Sequence, residues 1–531
     1  VVVSDEGRRY RLRRIEITSF GGAESPLNLF TSEQLLSLAR LRPGDPYERP
    51  RVEETVTAID DAYQQMGFID ATVVERSVRV GEQAEVDMLL TIREGRRSST
   101  GLVLIQGNFL TKDKVIRRLV RVRPGRPLDG TEVELAKERI QATRLFNDVR
   151  VAVQQPDVDD PEVRDIIVEI KERNTGSFNF GAGLASDSGV FGEFSFRQQN
   201  FDIADPPMTA EELFAGRAFR GAGQSFDLTL APGNEVSAYS LSITEPHLFE
   251  SDVSAQFSGF YRTRIYQQYD EERLATSVTL GQRLGDVWVG NVSASLQRVE
   301  LSNFDPNTPV QVYDDRGPDL FATMGGSLRR TTFDDPFRPA KGSAISIGVD
   351  KAIPLSGDVD FWRVGGSLTS FIKINEDFLG RKQVLKLRTE AGYTFGGTVP
   401  TFEKYYLGGR SFRGFQFRTI SPKSTEGVGT GIGPGPTIPP EPIGGNWLFF
   451  ASAQYEVPLV GEGLAGVAFV DSGTVTQTPG LDEYRVSTGL GIRLYIDALG
   501  PAPLAFDFGF PLRKEPTDQV QVFSFSAELP F

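Results

Sequence analysis

Cysteine is absent from the 531 residues, which excludes disulfide scaffolds, thiolate nucleophiles and cysteine-ligated metal sites together. A single histidine, His247, leaves no pair of imidazoles for a zinc or di-iron centre and confines any histidine catalysis to one position. No stretch reaches the roughly 18 consecutive apolar residues of a spanning helix, so helical passage through a bilayer is excluded. A transmembrane β-barrel is not excluded, because its alternating strands leave the mean hydropathy looking soluble. Positive charge is the minority, 57 Lys and Arg against 71 Asp and Glu for a net −14, which argues against a nucleic-acid partner. The chain opens at Val1 with neither an initiator methionine nor a charged-then-apolar leader, the pattern expected of a processed form.

What is abundant is glycine and phenylalanine, 55 and 38 residues, without long apolar runs; that composition favours many strands. The length suffices for about three or four domains of roughly 100 to 200 residues. Self-similarity divides it further. LRPGDPYERPRVEETVTAIDDAY from Leu41 is echoed by VRPGRPLDGTEVELAKERI from Val122, with Pro43, Gly44 and Pro46 falling on Pro124, Gly125 and Pro127. Each copy is preceded by a strand (Leu12 to Thr18; Leu102 to Gln106) and a short helix (Ser32 to Ala39; Lys112 to Val120). After a second helix come two strands: Ala71 to Val80 and Val86 to Arg93, then Val149 to Gln154 and Asp165 to Lys171. The order strand, helix, helix, strand, strand, repeated, predicts two α+β modules over 10–97 and 98–174, each with an edge strand open to β-augmentation.

From Thr175 onward, period-two alternation takes over. Leu385, Leu387, Ala391 and Tyr393 alternate with Lys386, Arg388 and Glu390; Phe523 and Phe525 alternate with Ser524 and Ser526. The second face is too charged for a sandwich core, and a lipid-facing wall around a polar lumen accounts for both faces. About sixteen such segments predict a sixteen-stranded antiparallel transmembrane barrel over 175–531. Counted from the modules, odd connections should be extracellular and long (Asn303 to Asp319; 396–446), even ones periplasmic and short (Arg283 to Asp286; Val460 to Gly463; Asp497 to Pro501). One even connection, Asp202 to Gln224, is long and carries a T-x-x-E pattern, Thr209 and Glu212, ahead of Leu213 and Phe214. It is read either as a short periplasmic helix making an accessory contact or as a tolerated insertion.

The longest odd connection opens with KYYLGGRSFRGFQFRTISP, Lys404 to Pro422. This resembles the sixth-loop signature of the insertases that join POTRA repeats to a barrel, the BamA/TamA type, in which an arginine-glycine-aromatic tip folds back into the lumen. The tip here is Arg413, Gly414 and Phe415, and Phe412 stands where the family usually has Val or Ile. RRTTFDDPFRPAKGSAISI from Arg329, GSFNFGAGLASDSGVFGEFSFRQQNF from Gly176, GGNWLFFASAQYEVPL from Gly444 and GVAFVDSGTV from Gly466 are similar to further segments of the family, and the two modules resemble POTRA domains. The resemblance covers nearly the whole chain.

From its residues alone, Arg413 in a glycine-rich loop is either solvated or turned inward. Parity places Glu456 in the lumen, because Trp447, Phe449 and Tyr455 share the lipid face. Phe469 and Asp471 share one face of the next strand and meet the tip if that face is inward. The resemblance implies that Glu456, Phe469 and Asp471 are the lumenal partners of Arg413. It implies no catalytic residue, metal or cofactor; GVGTGIGPG, Gly427 to Gly435, lacks the Lys-Ser/Thr and the helix of a phosphate loop, and His247 lies in a predicted periplasmic turn.

A lateral seam is expected between the first strand, Ser177 to Leu184, and the last, Val520 to Phe531. Phe178, Phe180, Phe523, Phe525 and Phe531 would line it, and Gly181 and Gly183 would weaken it. The function implied is templating of other barrels at this seam, with unfolded outer-membrane proteins, accessory periplasmic lipoproteins and outer-membrane lipid as partners and the POTRA domains in the periplasm. A TamA-like autotransporter assembly factor, a two-partner secretion translocase and a passive porin stand as alternatives.

Overall fold

The computed structural model describes residues 9–21, 27–81, 84–155, 160–214, 216, 218–428, 437–496 and 503–529. It divides into two compact units. One takes the residues up to Thr175 together with Asp202–Gly223; the other takes Gly176–Phe201 and everything from Gln224.

The first unit holds two copies of one module. The first copy runs β1 (Arg11–Ser19), α1 (Ser32–Leu38), α2 (Arg49–Gln65), β2 (Thr72–Arg79) and β3 (Glu85–Arg93), in a sheet ordered β1-β3-β2 with β1 parallel and β2 antiparallel to β3. Thr31 starts α1 through a capping box with Gln34, and a proline in the first turn starts α2. Val52, Thr55, Ile59 and Tyr63 follow helical spacing and form the buried stripe of α2. It packs on Met88, Leu90 and Ile92 of the central strand. The second copy repeats the plan with β4 (Ser99–Gln106), α3 (Asp113–Arg117), α4 (Gly130–Ala142), β5 (Phe146–Val153) and β6 (Val163–Glu172), ordered β4-β6-β5. Asp129 caps α4, whose Val133, Ala136 and Ile140 pack on Ile166, Val168 and Ile170.

The repeat extends to polar groups that the sequence pattern did not reveal. Glu94, just after β3, accepts from the backbone N–H of Asn28 at 2.9 Å and of Leu29 at 3.1 Å; Glu172, ending β6, accepts from Leu110 and Thr111 at 3.1 and 2.6 Å. In each copy a carboxylate closes the loop that enters the first helix, satisfying amides that no ladder reaches. A β-bulge in β1 turns Arg13 and Arg14 together onto Asp87, with Nε to carboxylate distances of 2.7 and 3.0 Å. The matching bulge in β4 presents the Leu102 amide to Asp165 at 2.6 Å. The Arg13 guanidinium holds the Asp87 carboxyl down to about 2, with burial opposing it and Arg14 assisting.

The long segment after Phe201 belongs to this same unit. Thr209 Oγ1 accepts from the Glu212 amide at 3.2 Å and starts the short helix Ala210–Phe214, as the T-x-x-E pattern predicts. Lys112 pairs with Asp202, and its amide donates to Gly221 O at 2.9 Å. Gly221 has φ of +116°, and a Cβ there would lie 2.2 Å from Leu110 O, so the approach requires glycine.

The second unit is a closed barrel of sixteen antiparallel strands in sequential order, from Gly176–Ala185 to Phe523–Leu529. Each wall strand alternates: Val292 and Leu296 point outward from the seventh strand while Ser295 and Gln297 hydrogen-bond inside. Among the described residues no helix is long and apolar enough to cross a membrane. Connection lengths follow the expected asymmetry only in part. Residues 303–316 and 396–446 are long and 285–287 and 461–463 short, but the odd connections 186–188, 232–235, 266–269 and 357–360 are short as well. An antiparallel pair needs only a tight turn, which is what these four connections provide. The expected Asp497 to Pro501 turn lies outside the described residues.

Candidate functional site

The site is assembled on the lumenal face of strands twelve (Trp447–Val460), thirteen (Leu464–Thr476), fourteen (Arg485–Leu494) and fifteen (Leu504–Arg513). Register sets Gln454 opposite Phe469, and Ser452 opposite Asp471, which in turn faces Ser487. Gly489 lies beside Phe469, and a Cβ there would meet Phe508 O at 2.1 Å and the Phe469 ring at 2.4 Å, so glycine is needed both for the close approach of strand fifteen and for the ring to lie flat on the wall.

Loop six enters the lumen through tight backbone. Gly408 has φ of +131°, and a Cβ there would come within 2.0 Å of Gln416 O. Arg413 then reaches the wall. Its Nε and Nη2 each donate to Asp471 at 2.8 Å, Nη1 donates to Gln454 Oε1 at 2.9 Å, and the guanidinium lies 3.5 Å over Phe469. Ser452 Oγ donates to Asp471 at 2.6 Å, and Ser487 Oγ donates to Arg413 O at 2.6 Å. Arg413 is 8 % exposed and Asp471 1 %, so this is a desolvated, bidentate pair. Removing one partner of such a pair costs about 3–5 kcal/mol, because the other charge is left buried.

Beyond the arginine, Gly414 and Phe415 pair as a short antiparallel bridge with Gln521 and Val520, immediately ahead of the last strand. Phe415 stacks edge-to-face on Phe412 at 5.2 Å, and Phe412 on Phe450 at 5.7 Å. The phenylalanine that departs from the family pattern at 412 is therefore fully buried in the cluster that seats the loop, with Leu407, Ile420, Leu448 and Val475.

The structure brings Arg413, Phe469 and Asp471 together but not Glu456. Glu456 accepts from Tyr495 Oη at 2.9 Å, and the third contact of the arginine is Gln454 instead. Both residues have lumenal parity; only register shows that Gln454 stands level with Phe469. Sequence reasoning also missed the base of the loop, where buried Glu403 binds Arg273 and Arg363 at 2.7 Å each. It missed Arg493, which holds Asp507 at 2.9 Å beside Arg413, and Asp518, which is buried against Arg485.

At the seam, Phe178 and Phe180 are 64 % and 67 % exposed and stack on Phe194 and Phe196 of the second strand. Gly181 and Gly183 do not interrupt the first strand, which pairs with the second from Gly176 to Ala185; Gly183 makes room for the Phe191 ring, 2.1 Å from its would-be Cβ. The last strand does not run unbroken from Val520. Val520–Gln521 bonds to the loop, and the barrel strand starts at Phe523, with Phe523 on Phe508 and Phe525 on Phe506. The described register of the last strand covers four residue pairs on each side: Ser526↔Ala185 to Leu529↔Ala182, and Ala505↔Ser526 to Phe508↔Phe523. Phe531 lies outside the described residues, as does most of Gly427 to Gly435.

His247 occupies the turn 246–252, its amide donating to Glu245 at 3.0 Å. Among the described residues no group of three metal-binding side chains converges.

A closed barrel of sixteen strands with an outer loop bound to its inner wall, in a chain that carries two repeated α+β modules, defines a POTRA-bearing outer-membrane barrel. Residues 218–531 match the model of the Omp85 superfamily domain, and residues 13–95 and 100–173 match the POTRA model, described as a surface antigen variable number repeat. The chain belongs to the Omp85 superfamily. It is 26 % identical over 521 residues to the outer membrane protein assembly factor BamA of Nitratidesulfovibrio vulgaris, covering 96 % of this chain and 60 % of that one. It is 24 % identical to BamA of Neisseria meningitidis, covering 99 % and 67 %. The chain thus spans only about 60 % of the length of the first of these relatives. In fold it is similar to the crystal structure of BamA from Haemophilus ducreyi lacking POTRA domains 1–3, with a TM-score of 0.75 at 23 % identity over 98 % of this chain and all of that one. CdiB from Acinetobacter baumannii is more distant, at a TM-score of 0.51 and 13 % identity over 100 % and 91 %. The barrel lies in the outer membrane, and the POTRA domains belong to the periplasm.

Proposed function

We propose that this protein is an outer-membrane insertase. Its POTRA domains receive unfolded outer-membrane proteins, and its barrel templates their folding at the seam between first and last strands. The observation that carries the reading is the short ladder of the last strand, four described pairs on either side in a wall where other strands pair over as many as fifteen. A peptide group left unpaired in hydrocarbon costs several kcal/mol. A strand edge offered to an incoming hairpin supplies those bonds before the client meets lipid, so no nucleotide is required. Loop six, tied down by Arg413, keeps the barrel in register while the seam exchanges partners, and no residue is assigned a covalent step. Accessory periplasmic lipoproteins acting with the POTRA domains, and outer-membrane lipid around the barrel, complete the partners of this reading.

The test is a cross-link in the observed register. Ala185→Cys with Ser526→Cys, reconstituted in liposomes, should fold client porins at the parent rate when reduced and lose most of that rate when oxidised. Full activity in the oxidised form would sink the templating reading and leave a lumenal secretion route or a passive pore.

A further inference from the structure

We propose that Asp518 is a positioning residue for the closing strand, holding its leading segment on loop six and away from strand fifteen. The carboxylate is fully buried and has three kinds of partner. Arg485 on strand fourteen donates from Nε at 2.9 Å and Nη2 at 3.1 Å, Lys423 on loop six donates at 2.9 Å, and the Glu515 amide donates at 2.9 Å. Immediately after it the chain bonds to the loop. The Gln519 amide donates to Thr419 Oγ1 and the Gln416 amide to Gln519 O, both at 2.9 Å, and Gln521 and Val520 pair with Gly414 and Phe415.

The same residues have a second partner available. Strand fifteen continues to Arg513, yet among the described residues its ladder with the last strand stops at Phe508↔Phe523, followed by a single bond from the Gly509 amide to Val522 O at 2.7 Å. Continued in register, Phe510 to Arg513 would take Gln521 back to Asp518. The leading segment therefore has two mutually exclusive antiparallel partners, the loop tip and the upper part of strand fifteen. Zipping onto strand fifteen would lengthen the ladder that holds the last strand, with one donor missing opposite Val520 because Pro511 has no N–H. The charge on Asp518 decides between them, because moving the segment outward would take the carboxylate from Lys423 and leave buried Arg485 without it. On the insertase reading, this keeps the closing strand lightly held and able to exchange.

The chain has no cysteine, so three introduced ones report the choice without background. Gln519→Cys stands opposite Gln416→Cys in the loop register and opposite Leu512→Cys in the wall register, where antiparallel partners lie about 4.5–5.5 Å apart between Cα atoms, within disulfide range. In the parent background the 416–519 link should dominate. Asp518→Asn should shift the product ratio at least about fivefold toward 512–519, and Asp518→Glu should restore it. Lys423→Gln, which removes only the loop-side partner, should move the ratio in the same direction and guards against a misfolded Asp518 variant. An unchanged ratio in both, or a dominant 512–519 link in the parent, overturns the proposal. The cross-links form without any client, so this outcome is independent of the insertase assay.

Discussion

The sixth and seventh strands, Asp270–Leu284 and Trp288–Ser302, pair over fifteen residues without a break; the last strand has four described pairs on each flank. Both belong to one cylinder in one kind of solvent, so the difference is not imposed by the bilayer. In the middle of the wall, backbone bonds between neighbours do the holding. At the closing strand that role passes to a loop, anchored by buried charge at Arg413 and Glu403 and by backbone pairing at Gly414 and Phe415. A backbone ladder is uniform and slow to rearrange, whereas a few ion pairs give a hold that is strong and local.

That contrast is broken most sharply at Arg413. Arg413→Ala leaves Asp471 buried without its partner and should cost about 3–5 kcal/mol, read as a lower thermal unfolding midpoint in detergent and a slower client-folding rate. Next is Gly489→Ala, which drives a methyl against the Phe508 carbonyl of strand fifteen and into the Phe469 ring that supports the guanidinium. It should cost about 1–3 kcal/mol and loosen loop six, measured as faster protease cleavage between Lys404 and Pro422. In the modules, acid should act first on the bulged edge. The Asp87 carboxyl is lowered from 3.8 to about 2 in the fold, so its stabilising contribution is complete above the unfolded value and fades as pH falls through about 2. Arg13 is partly exposed and the effect is correspondingly screened; amide exchange in β1 and β3, followed from about pH 5 downward, should accelerate there ahead of β2. The smallest effect belongs to the wall itself. Arg298→Ala removes a half-exposed pair with Glu300 near the end of the seventh strand and should change the stability by less than about 1 kcal/mol, read from the unfolding midpoint. A loss there as large as at Arg413 would erase the distinction between wall and closing strand.

Much of this was legible in the residues. The Pro-Gly-x-Pro echoes marked both modules because that turn joins two helices at the same place in each copy. Period-two alternation marked the wall because lipid and lumen impose opposite chemistry on adjacent residues. Parity also put Phe469 and Asp471 on one face. It could not separate Gln454 from Glu456, since a step of two along a strand keeps the face and changes only the height, and height depends on the pairing of strands twelve and thirteen. Glu403 and Asp518 were invisible for another reason. Their partners lie up to about 130 residues away, and nothing local distinguishes an acidic residue in a loop from a solvated one. The carboxylates Glu94 and Glu172 escaped because each caps a loop more than sixty residues upstream, outside any repeat window.

The flat seat of Phe469 on Gly489 has one more implication. Backbone, ring and guanidinium are stacked in three layers, so the strands beneath them can drift only in particular ways. Deleting or inserting one residue in strand thirteen would turn the ring out into the acyl chains and bring an aliphatic side chain beneath the arginine. A change of two would keep the ring inside but lift it about 7 Å along the wall, beyond the reach of the loop tip. Length variation in this lineage should therefore collect in the surface turns and spare this patch of wall.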